Sequence, residues 1–300
     1  MIKRYSTLLL VLPLLSLMAS PSQAQNYSKH SRYRSFGIGL NGMSYMGDVV
    51  PQGQSNHFAF GAMRPGVSLS ATQRFAPQFS VRAALTYGRV TGDNTTSSAA
   101  SGNQVYYERS LKFRNDIAEA SAVGIFDLLE NRGDYMRRLD WVPYVFAGVA
   151  VFHHNPKGQV GGGTIPQELS AGDYVALQPL RTEGQTVGYR RTQFAIPFGG
   201  GVRYRLAHDL DLSLEIGWRK TYTDKLDDMG GAYPDVNKLT TPAARYFGHD
   251  IMVPEGATAE SSIAPDAQWR GYGNHNDWYL VTGVTVHYVV PQYINRSKLR

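Results

Sequence analysis

Cysteine is absent from all 300 residues. A chain without thiols has no disulfide scaffold, no thiolate metal site and no cysteine nucleophile, and it lacks the acylated cysteine of a bacterial lipoprotein. Long apolar runs are equally scarce. Beyond the first two dozen residues no stretch of 18 apolar residues occurs, so no transmembrane helix is available. Excess charge of one sign is also wanting: the formal charge is +6, and setting aside Lys3 and Arg4 leaves +4. The basic residues are scattered and no nucleic-acid module is present, so no nucleic-acid partner is expected.

The N-terminus carries Lys3 and Arg4, then an apolar run from Leu8 to Leu17 broken only by Pro13 and Ser16, then Ser22-Gln23-Ala24. A positive head, a short apolar run and small residues predict a secretory signal peptide over residues 1–24. The competing reading, a membrane anchor helix, meets the difficulty that the run is shorter than the roughly 20 residues that a bilayer demands. Residues 25–34 then form a polar, basic lead-in and residues 291–300 a tail with Arg296, Lys298 and Arg300; both are expected to be periplasmic.

What the chain has in quantity is glycine (31) and aromatic rings, with 19 Tyr, 12 Phe and 4 Trp. The clearest segment runs from Leu210 to Arg219. Leu210, Leu212, Leu214, Ile216 and Trp218 alternate with Asp211, Ser213, Glu215, Gly217 and Arg219. A period of two makes a strand with one apolar and one wet face, and full charges on the wet face suit a polar barrel interior. Phe36-Ile38-Leu40, Val67-Leu69-Ala71, Phe79 to Tyr87, Ile196 to Tyr204 and Trp278 to Tyr288 repeat the pattern. Two segments fit less well. From Phe113 to Leu128 the phase is lost around Glu119 and Ser121, which a bulge would explain; from Val142 to Phe152 both faces are largely apolar, which small residues against a packed interior would explain.

Connections alternate in length. Ala76-Pro77, Glu130 to Asp140 and Ala207 to Asp209 are compact, whereas Asp48 to Arg64, Thr91 to Ser110, His154 to Gln193 and Asp224 to Asn276 are extended. An all-β, eight-stranded antiparallel transmembrane barrel over residues 35–290, with both termini periplasmic and integral in a bacterial outer membrane, sorts its loops this way; a soluble sandwich has no reason to. Tyr87, Phe152, Trp218 and Trp278 then form an outer girdle and Phe36, Phe79, Trp141, Tyr144, Tyr204 and Tyr288 an inner one.

Candidate sites are few. His153 and His154 are adjacent on a strand and face opposite sides, a poor metal pair. Asp224, Asp227 and Asp228 could hold a hard cation or pair with Arg219 and Lys220, but a calcium-loop spacing is missing, and pairing at the outer rim is the expectation. Arg82, Arg203, Arg205, Glu215 and Arg219 are expected inside, where a narrow lumen favours a hydrogen-bonded plug over a pore. Ser213, Glu215 and His287 would be the only hydrolase-like set. Neither a catalytic residue, a metal nor a cofactor is expected. In the Glu130–Asp140 turn, Arg132, Arg137 and Arg138 are candidates for partner binding.

A succession of landmarks resembles the PorG-like family of outer-membrane barrels of Bacteroidota: Gly47-Asp48, Leu85 to Asp93, Phe113 to Ile117, Pro143 to Gly148, Thr182 to Gln185, Ala195 to Gly199, Glu215 to Asp224 and Leu226 to Asp228. The resemblance implies an accessory component of the type IX secretion system, a non-enzymatic anchor for the periplasmic ring built by a PorK-like lipoprotein and a PorN-like subunit. The motif positions Asp93, Arg114, Asp116, Glu183, Arg219, Asp224, Asp227 and Asp228 then carry structural roles. The alternative is a small structural or ligand-binding barrel, lodged among outer-membrane lipids, that serves another envelope complex.

Overall fold

A computed structural model describes residues 32–47, 49, 63–93, 111–131, 137–252, 270–271 and 275–290. The leader, most of the lead-in, the C-terminal tail, Asp48, Arg132 and much of the first, second and fourth long loops lie outside these residues.

Alternation produces the strands where it was read. They are β1 (Arg34–Met46), β2 (Arg64–Arg74), β3 (Phe79–Asp93), β4 (Lys112–Asp127), β5 (Trp141–Gln159), β6 (Tyr174–Ala176), β7 (Thr192–Arg205), β8 (Leu210–Thr221) and β9 (Trp278–Val290). Each pairs antiparallel with its neighbours, β1 pairs with β9 as well as β2, and β4 pairs with β5. With the three-residue β6 as an appendage on β5, eight strands close a barrel, which leaves no unpaired edge. The helix α1 (Pro242–Gly248) is started by Thr241, whose side chain accepts from the Ala244 amide, with Pro242 in the first turn.

The outward face is apolar throughout its middle. Ile38, Leu40, Leu69, Leu85, Val149, Phe194, Leu214 and Val284 are all exposed, Leu40 at 72%. A belt of this kind around a closed sheet is stable only in hydrocarbon, where every backbone group must pair within the protein. The protein is an integral outer-membrane β-barrel. Phe36, Phe79, Trp141, Tyr204 and Tyr288 lie exposed towards the short-turn end, while Phe198 stacks on Trp218 and meets Trp278 edge-on at the long-loop end, both at 6.0 Å.

Three expectations are corrected. β4 has no bulge: its register runs unbroken against β3 and β5. The phase looked lost because Phe113, Ile117, Val123 and Ile125 point inward while Ala118, Ala120 and Ala122 face the membrane. In β5 the inner face carries Val142, Tyr144, Phe146 and Phe152, which are buried; Tyr144 and Phe152 therefore belong to the lumen and not to a girdle. Inward glycines across the barrel make room for these rings. A Cβ at Gly201 would lie 2.9 Å from Tyr144 Cζ and one at Gly217 2.7 Å from Phe146 Cζ. Finally, β5 continues to Gln159, so the third long loop is shorter than its sequence span and starts from a raised ledge.

Candidate functional site in the plugged lumen and outer cap

The lumen is a stack of ion pairs between opposite walls. Arg219 Nε of β8 lies 3.3 Å from Glu119 of β4, which also accepts from the Tyr279 hydroxyl at 2.7 Å. Below it Arg82 of β3 grips Glu215 of β8 with both nitrogens, Nη2 at 3.0 Å, and Tyr144 donates to the same carboxylate. Lower still, Asp127 at the end of β4 accepts from Arg74 at 3.0 Å and from Arg203. At the short-turn mouth Arg138 pairs with Asp211 at 2.8 Å and donates to the His208 carbonyl at 3.0 Å. One space between these layers, lined by Asn41, Ser70, Arg82, Glu215 and Thr285 among others, measures about 40 Å³, which is room for isolated waters only.

The outer mouth is stoppered by apolar residues. Met43, Val90, Phe113, Ile117, Phe152 and Tyr279 of the wall pack with Leu226 and Met229, which the fourth long loop inserts from above. Asn115 Nδ2 holds the Leu226 carbonyl at 2.7 Å. Over this stopper the third and fourth loops fold into a cap with its own core of Val160, Leu177, Tyr246, Phe247 and Ile251.

Arg270 joins the parts of the cap. Its guanidinium donates to Thr182 Oγ1 at 2.8 Å, to the Asp228 carbonyl at 2.6 Å, to the Asp228 carboxylate at 3.3 Å and to the Phe247 carbonyl at 3.4 Å. Asp228 sits at φ +70°, a left-handed conformation that an aspartate tolerates better than most side chains. It also accepts from Thr182 and from Tyr189 at 2.8 Å. Glu183 accepts from the Gly230 and Gly231 amides at 2.9 and 3.1 Å and pairs with Lys225. Tyr45 of β1 reaches Asp227 at 2.6 Å and Asp277 at 2.8 Å. One phenol has one proton, so one of these two contacts needs a proton on a carboxyl.

Burial, reinforced by the charge of Asp227, raises the Asp277 carboxyl well above its ordinary value, and burial raises Asp228 in the face of the opposing pull of Arg270. A carboxyl raised in the folded state contributes its stability below its unfolded pKa and loses it as pH climbs through the folded one. The cap should therefore resist protease better near pH 5 than near pH 8, and Asp277→Asn should flatten that difference. Equal digestion rates of the wild type at both values would refute the assignment.

The sequence-selected residues fall into distinct places. Asp227, Asp228 and Glu183 meet in the cap, with half-buried Asp224 close enough to act on the Asp277 carboxyl. Arg219 and Lys220 do not pair with them: Arg219 faces the lumen, as its even-odd position dictates, and Lys220 lies outside over the Trp278 ring at 5.7 Å. Asp93 pairs with Lys112 at 3.0 Å and Asp116 with Arg89 at 2.6 Å on the outer wall, while Arg114 stacks over Tyr174 at 3.9 Å. Arg205, two residues beyond Arg203 on the same side of β7, sits at the short-turn mouth and pairs with Asp140. Arg138 is buried in the inner mouth and so is not offered to a partner, whereas Arg137 is exposed. Ser213 and His287 face the lumen, and Glu215 is spent on Arg82 and Tyr144; a lipid ester has no access to the set. His154 is buried and His153 exposed beside Thr192. Arg270, the hub, follows no motif, and nothing in its local sequence marks it.

A family described as "Domain of unknown function (DUF6089)" matches residues 13–250. No curated protein sequence matches the chain. Among solved structures the chain is similar to Ail, the attachment invasion locus protein of Yersinia pestis, crystallised with the heparin analogue sucrose octasulfate, at 9% identity, with 87% of this chain and 99% of that one covered and a TM-score of 0.38. It is similar to Neisserial surface protein A at 13% identity, covering 86% and 96% of the two chains, TM-score 0.35. The N-terminal β-barrel domain of Pseudomonas aeruginosa OprF matches at 12% identity, covering 86% and 100%, TM-score 0.33.

Proposed function

The chain belongs to the DUF6089 family, and from that premise we propose a non-enzymatic, non-conducting barrel that holds a rigid cap on the cell surface and anchors an envelope assembly by its periplasmic rim. The observation that carries this reading is the lumen, crossed by four layers of cation–carboxylate contacts and stoppered above by Leu226 and Met229. A transport barrel spends its interior on water. Here the interior is spent on rigidity, which suits a fixed platform.

Orientation follows from loop length: the long loops face outward and the short turns and termini the periplasm. Because the chain has no cysteine, single introduced thiols report it. Val187→Cys, at a position 76% exposed in the third loop, should react with a membrane-impermeant maleimide on intact cells, and Ala207→Cys only after the outer membrane is breached. The reverse pattern would invert the barrel. Purified protein should show no steps in single-channel recording.

The finer reading is that the assembly is the type IX secretion machinery, with a PorK-like lipoprotein and a PorN-like ring subunit as periplasmic partners. Its support is the order of sequence landmarks, several of which are the residues that build the cap: Thr182 to Glu183 and Leu226 to Asp228. The contact expected on the inner side is the Glu130–Asp140 turn, where Arg137 is exposed. Arg137→Glu should lower the recovery of ring subunits in native co-purification while the barrel stays folded. Full recovery of the ring would remove this turn from the contact, and a partner set without any secretion subunit would favour the wider reading of a barrel serving another envelope complex.

A further inference from the structure

The membrane-facing wall between β2 and β5 is not a smooth cylinder. Leu85 and Tyr87 of β3 and Val151 and His153 of β5 stand on either side of Ala118 and Ala120, and Val67, Leu69 and Ile38 extend the near bank. The concavity between them is about 650 Å³ and almost wholly apolar. In a bilayer, water does not fill such a space; a hydrocarbon chain does.

Directly above it the same wall turns basic. Arg114 and Lys157 are Cα partners on the outward side of β4 and β5, four residues beyond Ala118 and His153 respectively, or about 13 Å along a strand. Like charges placed directly opposite each other repel. Among the described residues neither has a carboxylate partner: Arg114 lies over the Tyr174 ring, and Asp116 is taken by Arg89. Arg191, next to the groove-lining Thr192, donates to Asn155 at 3.4 Å and, among the described residues, has no carboxylate partner. Three cations gathered at the upper end of an apolar furrow, with their carboxylate neighbour already engaged, form a receptor for an anion that carries a hydrocarbon tail.

We propose that this wall binds one phosphorylated lipid of the outer leaflet, with an acyl chain in the furrow and a phosphate on Arg114, Lys157 and Arg191. The assignment to the outer leaflet rests on the orientation given above.

The test is native mass spectrometry of the detergent-purified, full-length barrel with lipid A carrying its phosphates, against lipid A stripped of them. Wild type should retain the phosphorylated form at least about tenfold better, the factor of a single charge-assisted contact. Arg114→Gln with Lys157→Gln should abolish that preference, and Ala120→Trp, which fills the furrow, should weaken both lipids. Folding of each variant is checked by its heat-dependent gel mobility. Equal retention of the two lipids by wild type, an unchanged preference in the double variant, or full displacement by millimolar inorganic phosphate would each overturn the lipid site. Protection of Val187→Cys on intact cells would instead overturn the outward assignment, and with it the outer-leaflet source, whatever the detergent result.

Discussion

Replacing Arg270 with leucine releases the cap and leaves the barrel folded. The guanidinium touches the third loop through Thr182, the Asp228 turn and the end of α1 through Phe247. Its removal strands the Asp228 carboxylate in a buried position, and breaking a buried pair from one side costs about 3–5 kcal/mol. That exceeds what a small satellite core of Val160, Leu177, Tyr246, Phe247 and Ile251 can absorb. Limited proteolysis should then cut within 160–191 and 222–252 at rates raised by two orders of magnitude or more, about 1.4 kcal/mol per decade, while the barrel keeps its heat-dependent gel shift. Asp227→Ala combined with Asp228→Ala should act in the same direction, because it removes the Asp228 partner of Arg270 and one of the two carboxyls that Tyr45 reaches. A cap as resistant as the wild type in Arg270→Leu would show that its apolar core suffices and that the ion-pair hub is incidental.

The second large effect is expected in the barrel itself, at Asp127. This carboxylate is almost inaccessible and answers two guanidiniums, Arg74 and Arg203, from different strands. Asp127→Ala leaves two cations facing each other in a lumen that also contains Arg138, so the loss should match or exceed the 3–5 kcal/mol of a single broken pair. The mid-point of thermal unfolding in detergent should fall, and refolding into lipid should slow. Asp127→Asn keeps the acceptor and removes only the charge, so it should fall between wild type and alanine. Restoring stability by adding Arg203→Leu to Asp127→Ala would confirm that unpaired charge, and not lost packing, is the cause. Thermal mid-points that rank asparagine with alanine would place the whole effect on charge; an unchanged mid-point in Asp127→Ala would refute the role of this layer.

These two sites differ in how they could be read from the sequence. Arg82, Arg203 and Glu215 announce themselves because they occupy wet positions in alternating segments, and parity alone sends them inward. Their partners are less visible. The pairing of Arg82 with Glu215 spans 133 positions, and only closure of the cylinder brings β3 opposite β8. β4 and β5 depart from simple alternation for a related reason. Rings fill the lumen near its outer mouth and again near its short-turn end, so apolar residues stand on the inner face, and Phe113, Phe152 and Tyr144 break the equation of apolar with outward.

The cap shows the limit more sharply. Asp227 and Asp228 were conspicuous as an acidic pair after a strand, yet the basic residues beside them, Arg219 and Lys220, are carried to the lumen and to the membrane face by strand parity. The true counter-charge is Arg270, 42 positions on, in a loop whose path has no period to read. Arg138 was similarly visible as a basic turn residue and invisible as a plug, because the turn folds it back beneath Tyr33 and Asp211.

By itself the sequence determined the barrel: a side-chain period of two, loops sorted by length, rings at the strand ends and the lack of any apolar run long enough for a helical span. These are local properties, and backbone geometry converts them directly into strands with an oily and a wet side. Which cation meets which carboxylate, what stops the mouth and where the membrane wall is hollow were decided by the tertiary structure, because each depends on residues that only ring closure and loop packing bring within reach.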